Sequence, residues 1–458
     1  MSRTYRIIPG GLFFLILVLA PATWAGESVV ETTPGVQTTI QTPLIDKTEL
    51  ARNGHGAETA EELSLVRARE LALRYNAGLI EADWARQGTA GLQEQAGLLP
   101  NPELSVDVEN FAGDGDKEGF DSAETTVAIS QLIELGGKRS KRQTVADLQK
   151  TAADFEYEAQ RLNTLNEVTR TYVEVVAAQE RLKQAKILAE LAQTVQRTVT
   201  ERVEAGKVSP VEQTRAGITA AAARLVAANA GRDLVAARSR LAACWGSSPP
   251  RFTRVNGDLV TEQGLPLLEE LLPLLKDNPD WRRSEADTAR SRAEADLAES
   301  LAIPDITFSV GYRQFQDTDS QALVAGLAIP LPLFDRNQGG RKAAAAAVHQ
   351  SRAGRDAVRI ELQNDLADTY QRLASAHAEL TILDRELLPG AESAFEAASL
   401  GYREGKFGLL DVLDAQRTLS EVRSQFVSAQ ENFHLAKADI ERLIAQPLPT
   451  PIRSKEVH

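Results

Sequence analysis

The sequence predicts an α+β membrane protein in which one unit (helix, β-hairpin, long helix, turn, helix) is written twice in tandem. Three observations carry this. Strand pairs with apolar–polar alternation, clear in three of the four strands, lie within Leu99 to Arg142 and again within Leu301 to Lys342. A very long helical stretch without internal proline or glycine follows the first pair, and a second long helical stretch, carrying Pro389, follows the second. A short reversal motif recurs 199 residues later, from Gly206 to Gly405.

The strands come first. Leu104, Val106 and Val108 alternate with Ser105, Asp107 and Glu109, and Val127 and Ile129 alternate with Thr126, Ala128 and Ser130. In the second copy Ile306, Phe308, Val310 and Tyr312 oppose Thr307, Ser309, Gly311 and Arg313. Strands are expected at about 102–112, 123–133, 305–315 and 321–331. Period-two patterning over ten residues suits a sheet with one apolar and one polar face, and it equals the ~9–11 residues of a membrane-spanning β-strand. Pro102 and Pro304 stand at strand starts, where a missing N–H costs least.

The helices follow. Thr59 with Glu62 reads as a capping box opening a helix that runs to about Ala96. From Gly137 to about Glu204, Phe155, Leu162, Leu165, Tyr172 and Val176 form a coiled-coil seam. At 1.5 Å per residue that helix is about 100 Å long. At the reversal, Gly206 suits a left-handed C-cap, Ser209 an N-cap, Pro210 the first helical position, and Glu212 the third residue of a capping box. An Ala-rich helix then returns to about Ala243. In the second copy, helix over Leu267 to Leu301 breaks near Asn278-Pro279, a long helix from Asn337 to Arg403 is expected to kink at Pro389, and a return helix ends near Ala445.

The ends and the balance of residues set further bounds. Arg3 and Arg6, an apolar run from Gly11 to Ala20 and Ala22-Thr23-Trp24-Ala25 read as a signal peptide over 1–25. Residues 26–56 read as an extended leader, 57–246 and 266–446 as the two repeats, 247–265 as an equatorial linker and 447–458 as a tail. No later run reaches the ~18 apolar residues of a spanning helix, so any span must be made by strands. A formal net charge of −13 argues against a nucleic-acid partner. The single Cys244 has no intrachain disulfide partner. No enzyme is expected. Gly136-Gly137-Lys138 lacks phosphate-loop spacing, and the five histidines share no motif with a second ligand, so no cofactor or metal site is expected.

Four strands cannot close a barrel, and open strand edges cannot face lipid. Several copies must therefore share one barrel, with Asp107, Glu109 and Arg313 as candidates for its lumen. At this point the layout resembles a known family. With LLPNPELSVDVENFAG, ETTVAISQLIELGGKR and the whole duplicated plan, the chain resembles the TolC-type outer-membrane efflux proteins, and within them the cobalt-zinc-cadmium resistance branch. The resemblance implies a homotrimer in the outer membrane of a Gram-negative bacterium, with a shared twelve-stranded barrel and a long coiled-coil barrel of helices in the periplasm. It implies a passive exit duct for divalent heavy-metal cations. Its implied partners are a periplasmic adaptor and an inner-membrane resistance-nodulation-division pump. It also implies that the reversals form the adaptor-docking tip, at Val203, Gly206, Lys207 and Val208 and at Tyr402, Gly405, Lys406, Phe407 and Gly408. Glu212, Asp411 and Asp414 are candidates for an acidic aperture, and Glu212 and Asp411 also suit helix-start caps. A duct for drugs or a secreted polypeptide, and a periplasmic coiled-coil scaffold, are the competing readings.

Overall fold

The computed structural model describes residues 61–259 and 264–449. The signal peptide, the leader, Thr59 and the tail beyond residue 449 lie outside the described residues. The chain begins with a two-residue strand β1 (Glu62–Leu63), then helices α1 (Leu65–Tyr75) and α2 (Ala77–Ala96). Strands β2 (Glu103–Glu109) and β3 (Glu124–Ile133) lead into the long helix α3 (Lys138–Glu204), which reverses into α4 (Pro210–Ala243). After β4 (Arg254–Val255) come α5 (Pro279–Ser300), strands β5 (Ile306–Phe315) and β6 (Ser320–Ala328), and α6 (Gln338–Ile382). A π-helical turn, Leu383–Leu387, joins α6 to α7 (Leu388–Arg403), and α8 (Leu409–Leu443) completes the second reversal.

The first described helix starts at Leu65. Ser64 caps it, its Oγ accepting the Arg67 amide at 3.2 Å, while Glu62 is taken up in the β1 ladder. The helix does not run unbroken to Ala96. Asn76 ends α1 and caps α2, its side chain accepting from the Leu79 amide and donating to the Cys244 carbonyl. The expected kink at Pro389 takes the form of the π turn just before it. Proline lacks the N–H that an α-helix would pair one turn back, and the wider turn absorbs that break without ending the helix. Strand β6 stops at Ala328, short of residue 331, because Pro330 and Pro332 cannot donate to a ladder.

The core lies among the helices. One cluster joins α6, α7 and α8 through Leu366, Leu373, Phe395, Leu419, Phe433 and Ile440, and reaches α3 and α4 at Val199 and Ala216. A second joins α1, α3 and α4 through Val168, Tyr172, Leu241 and Trp245. The segment read as a linker is anchored in this cluster by Phe252, beside Trp245 at the end of the first repeat, both fully buried. There β1 and β4 pair in parallel, Gln179 holds Val255 at both its N–H (2.8 Å) and its carbonyl (3.1 Å), and the Tyr172 hydroxyl donates to the Leu63 carbonyl. Between residues 139 and 163 of α3 the buried positions are the small ones, Ala146, Ala152 and Ala159; Phe155 and Leu162 are half-buried, as is Leu165 just beyond. Small side chains let helices approach closely, so the large residues sit at the margins of the contact.

Candidate functional site

Two regions contain the residues singled out from the sequence: the four-stranded sheet and the pair of helical reversals.

The sheet has the order β2-β3-β5-β6, antiparallel throughout, with β3 and β5 joining the two repeats. The register lines up Leu104, Ile129, Val310 and Ala325, then Val106, Val127, Tyr312 and Leu323, on one face. That apolar face is bare: Leu104 is 70% and Leu323 84% exposed. The opposite face carries Ser105, Ala128, Gly311 and Val324 in one row, Asp107, Thr126, Arg313 and Ala322 in the next, and Glu109, Glu124, Phe315 and Ser320 in the last. The alternation read from the sequence therefore sorts the side chains as expected, and the three lumen candidates fall on one face.

Two glycines on that polar face stand where a side chain would crowd the next strand. Ala128 pairs with Gly311, and a Cβ placed on Gly311 would stand 2.7 Å from the Cβ of Ala128. Ser309 pairs with Gly326, where a Cβ would meet the serine Oγ at 2.6 Å. Directly opposed Cβ atoms in an ordinary sheet are about 4.5–5.5 Å apart. Glycine at these two positions avoids that contact.

Arg313 gathers the outer end of this face. Its Nε donates to Thr126 Oγ1 at 2.8 Å, and its terminal nitrogens lie 3.2 Å from Glu124 and 3.3 Å from Glu109. Asp107, one row further from the loops, makes no ion pair among the described residues.

At the strand-to-helix junction, Lys138 is buried and its Nζ lies 2.7 Å from Asp305, which also accepts the Leu135 amide at 2.9 Å. Burial pushes the Asp305 carboxyl up. The Lys138 hydrogen bond, the Leu135 amide and the lysine charge together outweigh it, so the group titrates below its ordinary value. Beside it the Arg142 hydrogen bonds, opposed by burial and aided by the arginine charge, hold Glu134 below the usual carboxylate range.

The two reversals are built alike. In the first, the Lys207 amide donates to the Arg202 carbonyl at 2.8 Å and the Gly206 amide to Val203 at 2.9 Å; Gly206 has φ of 67°. In the second, Lys406 donates to Gly401 at 2.8 Å and Gly405 to Tyr402 at 3.0 Å, with Gly405 at φ 77°. Both are Schellman turns. Ser209 caps α4 by accepting the Val211 amide, with Pro210 at the first position. Glu212 does not complete the expected capping box; its carboxylate accepts the Tyr402 hydroxyl at 3.2 Å instead. Asp411 does take the helix-start role, accepting the Gly408 amide at 2.8 Å. Asp411 and Asp414 are exposed, and Val208 is half-buried.

Sequence reasoning missed Arg202. Its guanidinium lies 4.3 Å from the centre of the Tyr402 ring and donates to the Tyr402 carbonyl. Burial, the nearby Glu212 charge and the bond to it push the buried Tyr402 phenol up despite Arg202, so it stays a donor. The signal was present in the duplicated motif. Arg202 aligns with Gly401 and Val203 with Tyr402, and the hairpins touch where the copies differ. Gly401 gives room to Phe407, whose ring would stand 2.2 Å from a Cβ there. Among the described residues no group of three or more His, Cys, Asp or Glu is placed to hold a metal ion.

Known proteins share this architecture. The outer membrane efflux protein family matches residues 62–247 and 273–446. The chain is 35% identical over 390 residues to the cobalt-zinc-cadmium resistance protein CzcC of Cupriavidus metallidurans, spanning 85% of this chain and 91% of CzcC. It is 30% identical over 293 residues to the nickel and cobalt resistance protein CnrC of the same organism, spanning 63% and 68%. The solved outer membrane protein VceC of Vibrio cholerae has the same fold, with a TM-score of 0.71 over 84% of this chain and 97% of VceC at 19% identity. With both repeats matched and one relative more than a third identical along nearly its whole length, the chain is a member of the outer membrane efflux protein family.

Proposed function

We propose that three copies of this chain share a twelve-stranded barrel in the outer membrane and stack their long helices into a coiled-coil tunnel across the periplasm. The duct is a passive exit for divalent heavy-metal cations of the cobalt, zinc and cadmium type. An inner-membrane resistance-nodulation-division pump drives the cargo, and a periplasmic adaptor joins the pump to the duct at the twin reversals.

The observation that carries this is the sheet. It has four strands, two open edges, a bare apolar face and a polar face with glycines at its tightest contacts. An open edge in lipid leaves backbone groups unpaired, and a conduit needs more than the ~8 strands that side chains already fill. Three copies supply twelve. Closing the ring with Asp107, Glu109 and Arg313 inside gives a polar lumen and a lipid-facing exterior. The helical body supports the same count of partners. Helix α4 exposes Val211, Ile218 and Leu225 at intervals of seven, a seam with no covering helix among the described residues.

The reversals suit a docking tip that opens. Val203, Gly206, Lys207 and Val208 stand beside Tyr402, Gly405, Lys406, Phe407 and Gly408, and the Arg202–Tyr402–Glu212 contacts bind one hairpin to the other. Exposed Asp411 and Asp414 would place carboxylates at the aperture, where they attract cations. The metal cargo is supported by the resistance proteins named above. Deleting the gene and scoring growth on zinc, cobalt and cadmium salts and on hydrophobic drugs tests it. Heightened sensitivity to the metals alone is the expected result; sensitivity to the drugs alone would reassign the cargo.

A further inference from the structure

We propose that Arg313 sets the charge of the duct's outer mouth, and that it does so to let divalent cations leave. The inference rests on the reading that the polar face lines the lumen.

The mouth is the end of the sheet remote from the helices. Strands β2 and β5 run outward to Glu109 and Phe315, and β3 returns from Glu124. Glu109 and Glu124 are directly opposed across the β2–β3 ladder. Like charges in that position repel and destabilise the pair. Arg313 lies one row inward on β5, diagonal to both, and reaches each carboxylate while its Nε is tied to the buried hydroxyl of Thr126. Asn110 donates to the other oxygen of Glu124 at 3.1 Å. One guanidinium therefore spans three strands and both repeats. Its planar fork allows contacts in fixed directions that a lysine ammonium cannot reproduce.

The consequence is a count of formal charge. At the outer end of the polar face Asp107, Glu109 and Glu124 carry three negative charges, apart from Glu103 at its inner end and the acidic loop residues Asp114, Glu118, Asp121, Asp317 and Asp319, and Arg313 reduces those three to two per chain. Without it, two opposed carboxylates with a third one row away have the composition of an oxygen-donor site for a divalent cation. An exit must attract its cargo yet release it. Arg313 occupies the position between the carboxylates that a cation would otherwise take, so the mouth attracts cations without holding them. Arg313 does not bind cargo; it is a positioning residue that determines ionic specificity.

The test is the full mature chain reconstituted in planar bilayers, with the reversal potential measured across a potassium chloride gradient before and after millimolar zinc chloride. The wild-type pore is expected to prefer potassium and to conduct with zinc present. Arg313→Gln is expected to raise the potassium-to-chloride permeability ratio by about two-fold or more and to make the current fall on adding zinc. Glu124→Gln is expected to shift the ratio the opposite way. If Arg313→Gln fails to assemble, the Glu124→Gln shift alone decides. A role in holding strands together would lower the yield of pores in both variants without these opposed shifts. Pores of either variant with wild-type ratios and no block by zinc overturn the inference. A wild-type protein that forms no pore overturns the underlying reading and this inference with it.

Discussion

At the scale of single residues, the sequence disclosed those whose backbone demands are unusual. Gly206 and Gly405 announced themselves because glycine takes the left-handed position at a Schellman turn at the least cost, and both adopt it. Gly405→Val is expected to cost about 1–2 kcal/mol or more at the turn, with Gly405→Asn milder. Hydrogen exchange of the amides around 401–408 measures it, and unaltered rates in the valine variant would refute the role. Side-chain partners were far less legible. The sequence named Glu212 a cap, whereas Tyr402 takes its carboxylate, because the choice depends on a hairpin 190 residues away in the chain. Lys138 and Asp305 were equally hidden, since their pairing requires the two repeats to be folded together. That pairing has a pH signature. The folded Asp305 and Glu134 carboxyls titrate below their ordinary values. Their contribution is therefore complete above the unfolded carboxylate range of about 4 and is lost as pH falls through the lower folded values. The melting temperature in detergent should stay level from neutral pH to about 5 and drop below about 4. Asp305→Asn should flatten part of that acid limb. An acid limb as steep in Asp305→Asn as in the wild type would exclude Asp305 as a source.

At the scale of elements, strand alternation translated directly into two faces, because a period of two leaves a strand no other way to sort its side chains. Helix existence was legible for the same reason, while helix details were not. Asn76 splits the first helix by bonding to the distant Cys244 carbonyl, and the Ala-lined half of α3 packs by closeness rather than by apolar bulk. The crowding at Gly311 and Gly326 was also invisible in the pattern, since it depends on which residue of the next strand stands opposite. Gly311→Val should therefore impair closure of the barrel. It is expected to reduce detergent-resistant oligomer and pore formation while leaving helical circular dichroism near the wild-type value. Oligomer yield equal to wild type would show that the crowding is tolerated.

At the scale of the whole molecule, the duplication was the feature the sequence displayed most openly, and membership of the outer membrane efflux protein family follows from matches in both copies. Which surfaces await neighbours became visible only with the fold. Ile218, 66% exposed on α4, is the central residue of its bare seam. Ile218→Glu should weaken subunit association, seen as a shift from trimer to monomer by light scattering in detergent. A trimer undiminished by the substitution would place that seam elsewhere than between subunits. The sheet has a further consequence. Its two rims, along β2 and β6, are unsatisfied templates of opposite ends of one ladder. On the proposed shared barrel, a short peptide copying Glu103–Glu109 is expected to dock on β6, occupy the place of the next subunit and leave an unfinished ring that cannot enter the membrane.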